Sequence, residues 1–301
     1  MPDVVIVIPV FNRADCIVRA VNSVLAQTYD SFSLVVVDDG SSCDLSEVEQ
    51  LVRDSGHQWL RLPVNRGVAA ARNEGVKLSS AKWISFLDSD DEWAPQKLEA
   101  QWNWHRENPA VSISQVSEDW YRNGALFSKP EHLRQRGGDL FEASCQRCAI
   151  GPSCVMMNRE IWDQSGGFDE RFRVCEDYAL WLRIASGNHV GLIPGESLVK
   201  KHGGHQDQLS VETPLLERYR LLALLEWMRD HPDDRARIET ARKSLLHFGN
   251  QLRRYGEKHE LTAWPHFFSK IDLSGGIEAA SIDEAWSVFH GDWCNPPEKG
   301  I

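Results

Sequence analysis

Three aspartates lie within four residues, immediately after a short apolar run. The run spans residues 83–87, and Asp88, Asp90 and Asp91 follow it. Carboxylates this close repel one another unless a cation lies between them. Mg²⁺ and Mn²⁺ prefer oxygen ligands and usually bind through one or two carboxylates together with phosphates of a substrate. The pattern therefore predicts a site for a metal-held phosphate compound, and a solvated acidic turn is the simpler alternative.

The apolar run before these aspartates has the length of a buried strand. Residues 1–100 alternate such runs with segments of helical spacing, which predicts a mostly parallel sheet with helices on both faces. In open sheets of this kind, ligands bind at the carboxyl ends of the strands. The predicted strands are residues 4–10, 32–37, 59–62 and 83–87, and the predicted helices are residues 14–25, 45–52 and 67–78.

The pattern changes along the rest of the chain. Residues 95–107 and 176–185 have helical spacing, and residues 190–199 resemble a strand. From residue 214 onward the spacing is helical again, with further segments at 238–255 and 282–289. A boundary near residue 210 therefore separates an α/β part from a helical part.

The composition is that of a globular protein with an acidic balance. The chain has 301 residues, 42% of them apolar, and a net charge of −11. Nucleic-acid-binding proteins normally present a basic surface, so we do not expect nucleic acid as a partner. No stretch approaches the roughly 18–20 uncharged apolar residues of a membrane span. The N-terminus also lacks the basic flank and cleavage site of a signal peptide. We therefore expect a cytoplasmic protein, and a local basic patch leaves peripheral contact with the inner face of the membrane open.

Other common sites find little support. No Gly-x-Gly-x-x-Gly follows the first strand and no Walker-type Gly-x-x-x-x-Gly-Lys occurs, which disfavours dehydrogenases and P-loop enzymes. Among seven cysteines, Cys145 and Cys148 form a Cys-x-x-Cys motif. A zinc or redox role with Cys154 or Cys175 is the minor alternative, because free buried thiols are the common case in a cytosolic protein.

Several segments, taken together and in this order, resemble motifs of the family 2 glycosyltransferases. They are residues 8–13 (IPVFNR), 37–42 (VDDGSS), 65–75 (NRGVAAARNEG), 86–91 (FLDSDD), 166–170 (GGFDE), 176–183 (EDYALWLR), and His205 with Ser210. The resemblance covers about residues 3–210 and implies an α/β protein of the GT-A fold. In that fold a mostly parallel nucleotide-binding sheet, residues 1–108, joins an acceptor-binding half, residues 109–210. Residues 211–301 would form a helical extension, for which a homodimer interface is one role.

The resemblance also implies a reaction. A family 2 enzyme of this kind would move one sugar, with inversion, from a nucleotide-diphosphate sugar to an acceptor hydroxyl. A UDP-sugar is the favoured donor, although GDP-mannose stays open. The acceptor would be a saccharide or a lipid-linked saccharide in glycan, lipopolysaccharide or glycolipid assembly. Such a transfer needs a base for the acceptor proton and a cation, Mn²⁺ or Mg²⁺, for the leaving diphosphate.

By the family pattern, Asp90 is the first metal ligand and Asp88 is directed towards the ribose or the metal. Asp91 would take the place of Asp90 if the register were shifted by one residue. A later side chain, His205, is expected to contact the metal or the diphosphate, and His202 is the alternative.

The family pattern also suggests which residues hold the nucleotide. Asp39 would accept a hydrogen bond from N3–H of uracil, and Asp38 competes for that role because adjacent strand residues point to opposite faces. The other expected nucleotide contacts are the carbonyl of Pro9, the ring of Phe11, the cations of Arg13 and Arg72, and Ser89 beside Asp88.

Asp177 is the candidate general base, and Glu176 would position the acceptor or the helix. Without the resemblance, two acids at a helix start would be read as complements of the helix dipole. Trp181, together with Trp162, is expected to flank the acceptor, since aromatic faces suit sugar rings.

Two other functions would account for part of this pattern. A haloacid-dehalogenase-like phosphatase also places Asp-x-Asp after a strand, but its motif continues differently, and Asp38 and Asp39 have no role in it. A non-catalytic nucleotide-sugar-binding or scaffold protein on the same fold is the other. The chain has candidate carboxylates both for the metal and for the base, and a non-catalytic protein would not need both.

Overall fold

The computed structural model describes residues 2–203 and 215–259, together with Trp286. The strands are β1 (Val4–Val10), β2 (Phe32–Asp38), β3 (Gln58–Arg61), β4 (Trp83–Phe86), β5 (Glu92–Trp93), β6 (Ile113–Gln115), β7 (Glu118–Arg122), β8 (Ala125–Phe127), β9 (Val155–Asn158), β10 (Gly191–Leu192) and β11 (Val199–Gly203). The helices are α1 (Ala14–Leu25), α2 (Ser46–Asp54), α3 (Val68–Lys77), α4 (Lys97–Glu107), α5 (Phe141–Gln146), α6 (Arg159–Ser165), α7 (Glu176–Ala185), α8 (Glu217–Asp230) and α9 (Arg235–Lys258).

A seven-stranded sheet in the order β10-β6-β9-β4-β1-β2-β3 forms the centre of the molecule. Strands β1 to β4 pair in parallel, and β9 runs antiparallel to both of its neighbours. The carboxyl ends of β1, β2 and β4 therefore meet at one edge of the sheet. The mostly parallel sheet predicted from the alternation of segments is confirmed.

Strand β1 shows why helices cover both faces of this sheet. All of its residues are buried, and successive side chains point to opposite faces. Val5 and Val7 belong to the same core as Ala71 of α3. Ile6 belongs to the core on the other face, with Ile17 of α1. An apolar run without alternation is what such a doubly covered strand requires.

A smaller sheet in the order β5-β11-β7-β8 lies beside the carboxyl end of β4. Strand β11 pairs antiparallel with β5 and parallel with β7. The single strand predicted at residues 190–199 is wrong in extent, because β10 ends at Leu192 and β11 begins at Val199. Pro194 and Gly195 lie between them; proline offers no N–H to a ladder, and Gly195 has a φ of +120°.

Helices α8 and α9 pack against α5 and α7 around a core that includes Tyr178, Leu222 and Leu245. The predicted C-terminal helices are thus present. Trp286 packs on the same core and donates from Nε1 to Glu226 at 2.9 Å. The rest of the helix predicted at 282–289, and the predicted boundary near residue 210, lie outside the described residues. None of the helices in the described part of the chain has the length and apolarity needed to cross a membrane.

Candidate active site

Asp38 closes strand β2 and is fully buried. Its Oδ1 accepts the backbone N–H of Ser41 at 2.8 Å, and its Oδ2 lies 3.3 Å from Nη1 of Arg61. Both oxygens therefore have a partner within the protein, which makes Asp38 a structural residue of the turn after β2.

Asp39 is also buried, and both of its oxygens accept backbone N–H groups. Oδ1 accepts from Arg66 and Oδ2 from Gly67, each at 2.8 Å. Burial raises the pKa of Asp39, and these two hydrogen bonds oppose the rise. Each carboxylate oxygen has a second acceptor position, so an additional donor such as a base N–H can still be accepted.

The loop after β1 lies against this turn. Phe11 is 43% exposed, so its ring is available to a ligand, whereas Pro9 is buried within β1. Asn12 has a φ of +53°, a conformation that asparagine tolerates better than most residues. Its side-chain Oδ1 accepts the backbone N–H groups of Ser42 and Cys43, which ties the two loops together.

The aspartates after β4 differ among themselves. Asp91 is buried; its Oδ2 accepts the Ser153 hydroxyl at 2.6 Å and its Oδ1 the backbone N–H of His202 at 3.2 Å. Burial raises the pKa of Asp90, and the charge of Asp88 raises it further. Burial and the neighbouring acids raise the pKa of Asp91 as well, but Asp91 is buried with a protein donor on each oxygen, whereas Asp90 is half-buried. This difference in access favours Asp90 over Asp91 as a cation ligand.

Arg72 connects the three aspartates after β4 to the acid pair Glu176 and Asp177. Its Nη2 donates to Asp88 Oδ1 and its Nη1 to Glu176 Oε1, each at 2.6 Å, and only 3% of the residue is exposed. Burial would raise the pKa of Asp88, but Arg72 and Lys201 lower it below its ordinary value. The expected nucleotide contact of Arg72 stays a prediction; in the structure Arg72 is a buried link between Asp88 after β4 and Glu176 at the start of α7.

The acid pair at the start of α7 has two different environments. Burial, followed by the neighbouring charge of Asp177, raises the pKa of Glu176 to about 7. Asp177 is half-buried, and its Oδ2 accepts the Cys148 thiol at 3.1 Å. The second residue of the pair is therefore the one that a ligand can reach.

Trp181 does not lie where the acceptor prediction needs it. The residue is fully buried and belongs to the core under α7, with Phe168 at 6.3 Å between ring centroids. Trp162 belongs to the same core and is 7% exposed. Helical spacing places these aromatic rings on the core side of their helices, so neither offers a face to a sugar.

Sequence reasoning missed Lys201, which lies among the aspartates. Its Nζ is 3.8 Å from Asp88 Oδ2 and 3.8 Å from Asp91 Oδ2. Burial alone would lower the pKa of Lys201, but these carboxylates and Glu118 raise it well above its ordinary value. No local signal marks Lys201, since its role depends on strand pairing between distant parts of the chain.

The donor set around Asp90 fits a metal that is shared with a phosphate. Within residues 2–203 and 215–259, no group of three or more His, Cys, Asp or Glu side chains could hold a metal ion alone. Carboxylate oxygens from Asp90 and Asp88 match the preference of Mg²⁺ or Mn²⁺ for one or two protein ligands completed by phosphates. The alternative ligand His202 stacks on Tyr121, with its Nε2 3.5 Å from Glu92 Oε2. His205 lies outside the described residues.

The sequence matches the family model described as glycosyl transferase family 2 over residues 5–165, more than half of the chain. The chain belongs to this family. The resemblance in the motifs is thereby confirmed, and it includes the segment with the acid cluster after β4.

The chain is similar both to uncharacterised glycosyltransferases and to glycosyltransferases whose names state a reaction. An uncharacterised glycosyltransferase of Rickettsia felis is 35% identical over 200 residues, which is 66% of this chain and 33% of the relative. The chain thus spans about a third of the length of the first curated relatives that it matches. The Escherichia coli protein named UDP-Glc:alpha-D-GlcNAc-diphosphoundecaprenol beta-1,3-glucosyltransferase WfgD is 30% identical over 208 residues, 68% of this chain and 78% of the relative.

Solved structures support the GT-A fold. The Staphylococcus aureus protein TarS, residues 1–349, in complex with UDP-GlcNAc, superposes with a TM-score of 0.73. The superposition covers 98% of this chain and 92% of that chain at 14% sequence identity. At this identity the likeness concerns the fold alone, and it confirms the predicted α/β architecture with a helical C-terminal part.

Proposed function

We propose that this family 2 protein transfers one sugar, with inversion, from a UDP-sugar to a hydroxyl of a saccharide or lipid-linked acceptor. The observation that carries the proposal is the position of Arg72, which bonds both Asp88 and Glu176 at 2.6 Å. It brings the acids expected to hold the metal and donor next to those expected to activate the acceptor. A transferase needs both sets side by side, whereas a nucleotide-binding scaffold needs only the first.

The nucleotide would lie across the carboxyl ends of β1 and β2. In this proposal, Asp39 accepts from N3–H of uracil, and the exposed ring of Phe11 packs on the base or ribose. Pro9 would present its carbonyl, and Ser89 beside Asp88 would contact the ribose or phosphate. Arg13, whose charge opposes the rise in the pKa of Asp90, would balance the diphosphate charge.

Asp90, with Asp88, would hold Mn²⁺ or Mg²⁺ together with the diphosphate oxygens. The metal would neutralise negative charge as the diphosphate leaves. The chain's own contribution is to keep these carboxylates oriented: Arg72 fixes Asp88, while Ser153 donates to Asp91 and accepts the backbone N–H of Asp88 at 3.1 Å.

Asp177 would remove the proton from the acceptor hydroxyl as the acceptor oxygen bonds to the anomeric carbon and the bond from that carbon to the phosphate oxygen breaks. Hydrogen bonding from the Cys148 thiol would orient Asp177 Oδ2. Glu176, held by Arg72, would position the start of α7 rather than exchange the proton.

Relatives favour a lipid-linked acceptor in envelope or exopolysaccharide assembly. WfgD carries diphosphoundecaprenol in its name, and a 31% identical relative from Rhizobium meliloti is the succinoglycan biosynthesis protein ExoU. We propose the same class of acceptor here, met at the cytoplasmic face of a membrane. The donor sugar depends on a few polar groups that discriminate hydroxyl epimers.

The test is a transfer assay with UDP-glucose, UDP-galactose, UDP-GlcNAc and GDP-mannose, with and without Mn²⁺, on a GlcNAc-diphospholipid acceptor. We expect turnover with a UDP-sugar, and Asp177→Asn should lower kcat about 10²–10⁴-fold while UDP affinity is kept. Asp163→Asn, at an exposed acid of α6, is the matched control and should keep full turnover. Full turnover in Asp177→Asn removes it from the base role, and donor binding without transfer from any donor would support the scaffold alternative.

A further inference from the structure

Lys201 is placed in the aspartate cluster by strand pairing. In the antiparallel pair of β11 and β5, Val199 lies opposite Trp93 and Lys200 opposite Glu92. Continuing this register sets Lys201 opposite Asp91, and the adjacent backbone N–H of His202 donates to Asp91 Oδ1 at 3.2 Å. Strand pairing therefore fixes the backbone position from which the Lys201 side chain reaches the cluster.

The ammonium lies at equal distance from two acids of the cluster. Its Nζ is 3.8 Å from both Asp88 Oδ2 and Asp91 Oδ2, and 35% of the side chain stays exposed. Lys201 and Arg72 both form ion pairs with the aspartates of the cluster. Among the described residues, Arg72 pairs with Asp88 of these three, Arg13 opposes the rise in the pKa of Asp90, and Arg19 donates to the Asp90 carbonyl, whereas Lys201 pairs with both Asp88 and Asp91.

A divalent cation at Asp88 and Asp90 would have to bind close to this ammonium. Like charges repel strongly at such distances in partly buried sites. A nucleotide diphosphate changes the balance, because it adds negative charge and oxygen ligands that the described residues do not supply in sufficient number. It can also accept hydrogen bonds from the three N–H groups of the ammonium.

We propose that Lys201 acts as the counter-ion of the aspartate cluster in the nucleotide-free protein and thereby makes metal binding depend on the nucleotide diphosphate. The inference rests on the proposed function. The protein would then bind Mn²⁺ weakly alone and strongly with UDP. By linkage, Mn²⁺ must raise the affinity for UDP by the same factor.

Titration calorimetry of Mn²⁺ into the full chain, with and without saturating UDP, tests this role. We expect UDP to tighten Mn²⁺ binding at least 100-fold in the unmodified protein. In Lys201→Met, Mn²⁺ without UDP should bind at least tenfold more tightly, and the coupling factor should fall accordingly. Lys201→Arg keeps the charge and should keep the coupling within about threefold.

Lys200→Met is the matched control, because Lys200 is the adjacent lysine and pairs with Glu92 at 3.2 Å on the exposed side. Its Mn²⁺ affinity should stay within twofold of the unmodified protein. If Lys201→Met does not fold, Lys201→Gln also removes the charge, and the same tightening is expected.

Two outcomes overturn the proposal in distinguishable ways. Mn²⁺–UDP coupling that is the same in Lys201→Met as in the unmodified protein overturns the counter-ion role and leaves the proposed function intact. UDP binding that Mn²⁺ does not affect in either protein overturns metal dependence itself, and the counter-ion role with it.

Discussion

Two sets of aspartates flank strand β1, and they differ in how accessible and how crowded their carboxylates are. After β2, Asp38 and Asp39 have partners on every oxygen, three of them backbone N–H groups and the fourth Arg61. After β4, Asp88 and Asp90 are half-buried, and the charges of Asp88 and Asp90 add to the rise in the pKa of the buried Asp91. Both sets close parallel strands at the same edge of the sheet, so the difference lies in the loops that meet them.

The first set holds loops in place, whereas the second retains repulsion within the protein. Hydrogen-bonded carboxylates contribute to folding, because their partners replace the water that is lost on burial. Carboxylates that oppose one another weaken folding and favour a bound cation instead. In the proposed function, Asp38 serves the fold alone, Asp39 serves both the fold and the base, and the second set serves the metal.

The largest effect that could break this comparison is expected for Asp90→Asn. If Asp90 holds the metal as proposed, its removal should lower kcat/KM about a thousandfold. The melting temperature should stay the same or rise, because one of three repelling charges is gone. Transfer assays and thermal unfolding on the same preparation check both expectations.

Asp38→Asn is the counterpart of that variant in the first set. Its amide cannot pair with Arg61, and the melting temperature should fall, while the folded fraction keeps its activity within about tenfold. If Asp90→Asn were the less stable variant of the two, the assignment of roles to the two sets would be wrong.

The next effect concerns Arg72, which connects the second set to α7. Arg72→Met leaves Asp88 and the buried Glu176 without their shared cation, so the free energy of unfolding should fall by about 3–5 kcal/mol. Urea unfolding at pH 8 measures it. Arg66→Met removes an exposed cation that pairs with Glu74 and Glu170, and it should cost about 1 kcal/mol or less. Equal losses in the two variants would show that Arg72 is not a buried link.

The smallest effect is a pH dependence at Glu176. Burial raises its pKa from the ordinary 4.5 to about 7, so the folded protein holds this proton more tightly than the unfolded chain does. The stability that the proton contributes is complete below pH 4.5 and is lost as the pH rises through 7. Between pH 5 and 7 the loss from this group should be about 2 kcal/mol.

Glu176→Gln should remove that contribution, and the difference between the two unfolding profiles isolates it from other titrating groups. His105, whose pKa burial lowers to about 4, acts in the opposite direction and remains in both proteins. Parallel profiles for the two proteins from pH 5 to 8 would argue against a raised pKa at Glu176.

Much of the fold could be predicted because its determinants are local. Strand β1 is an unbroken apolar run, and a strand covered on both faces needs nothing more. The acid pairs after β2 and β4 were visible because strand ends collect polar side chains at one edge. The prediction of a single strand at 190–199 was wrong because Pro194 and Gly195 interrupt a stretch whose other residues are mostly apolar.

Contacts set by distant parts of the chain could not be predicted in this way. Lys201 meets Asp91 because β5 and β11 share a register across more than a hundred residues of sequence. Trp181 was read as a sugar platform because its type suits one, but the packing of α7 decides which face is buried. Arg72 has two partners that only the tertiary structure brings together.

Helix α3 sets the spacing between the contacts made to Asp39 and to Asp88. At its start, the backbone N–H groups of Arg66 and Gly67 hold Asp39; about one and a half turns later, Arg72 holds Asp88. Because each added residue rotates a helix by about 100°, one insertion between these points would turn the guanidinium away from both acids. The spacing from Gly67 to Arg72 therefore couples the position of Asp39 to that of Asp88, so any ligand that contacts both must match a length set by one helix.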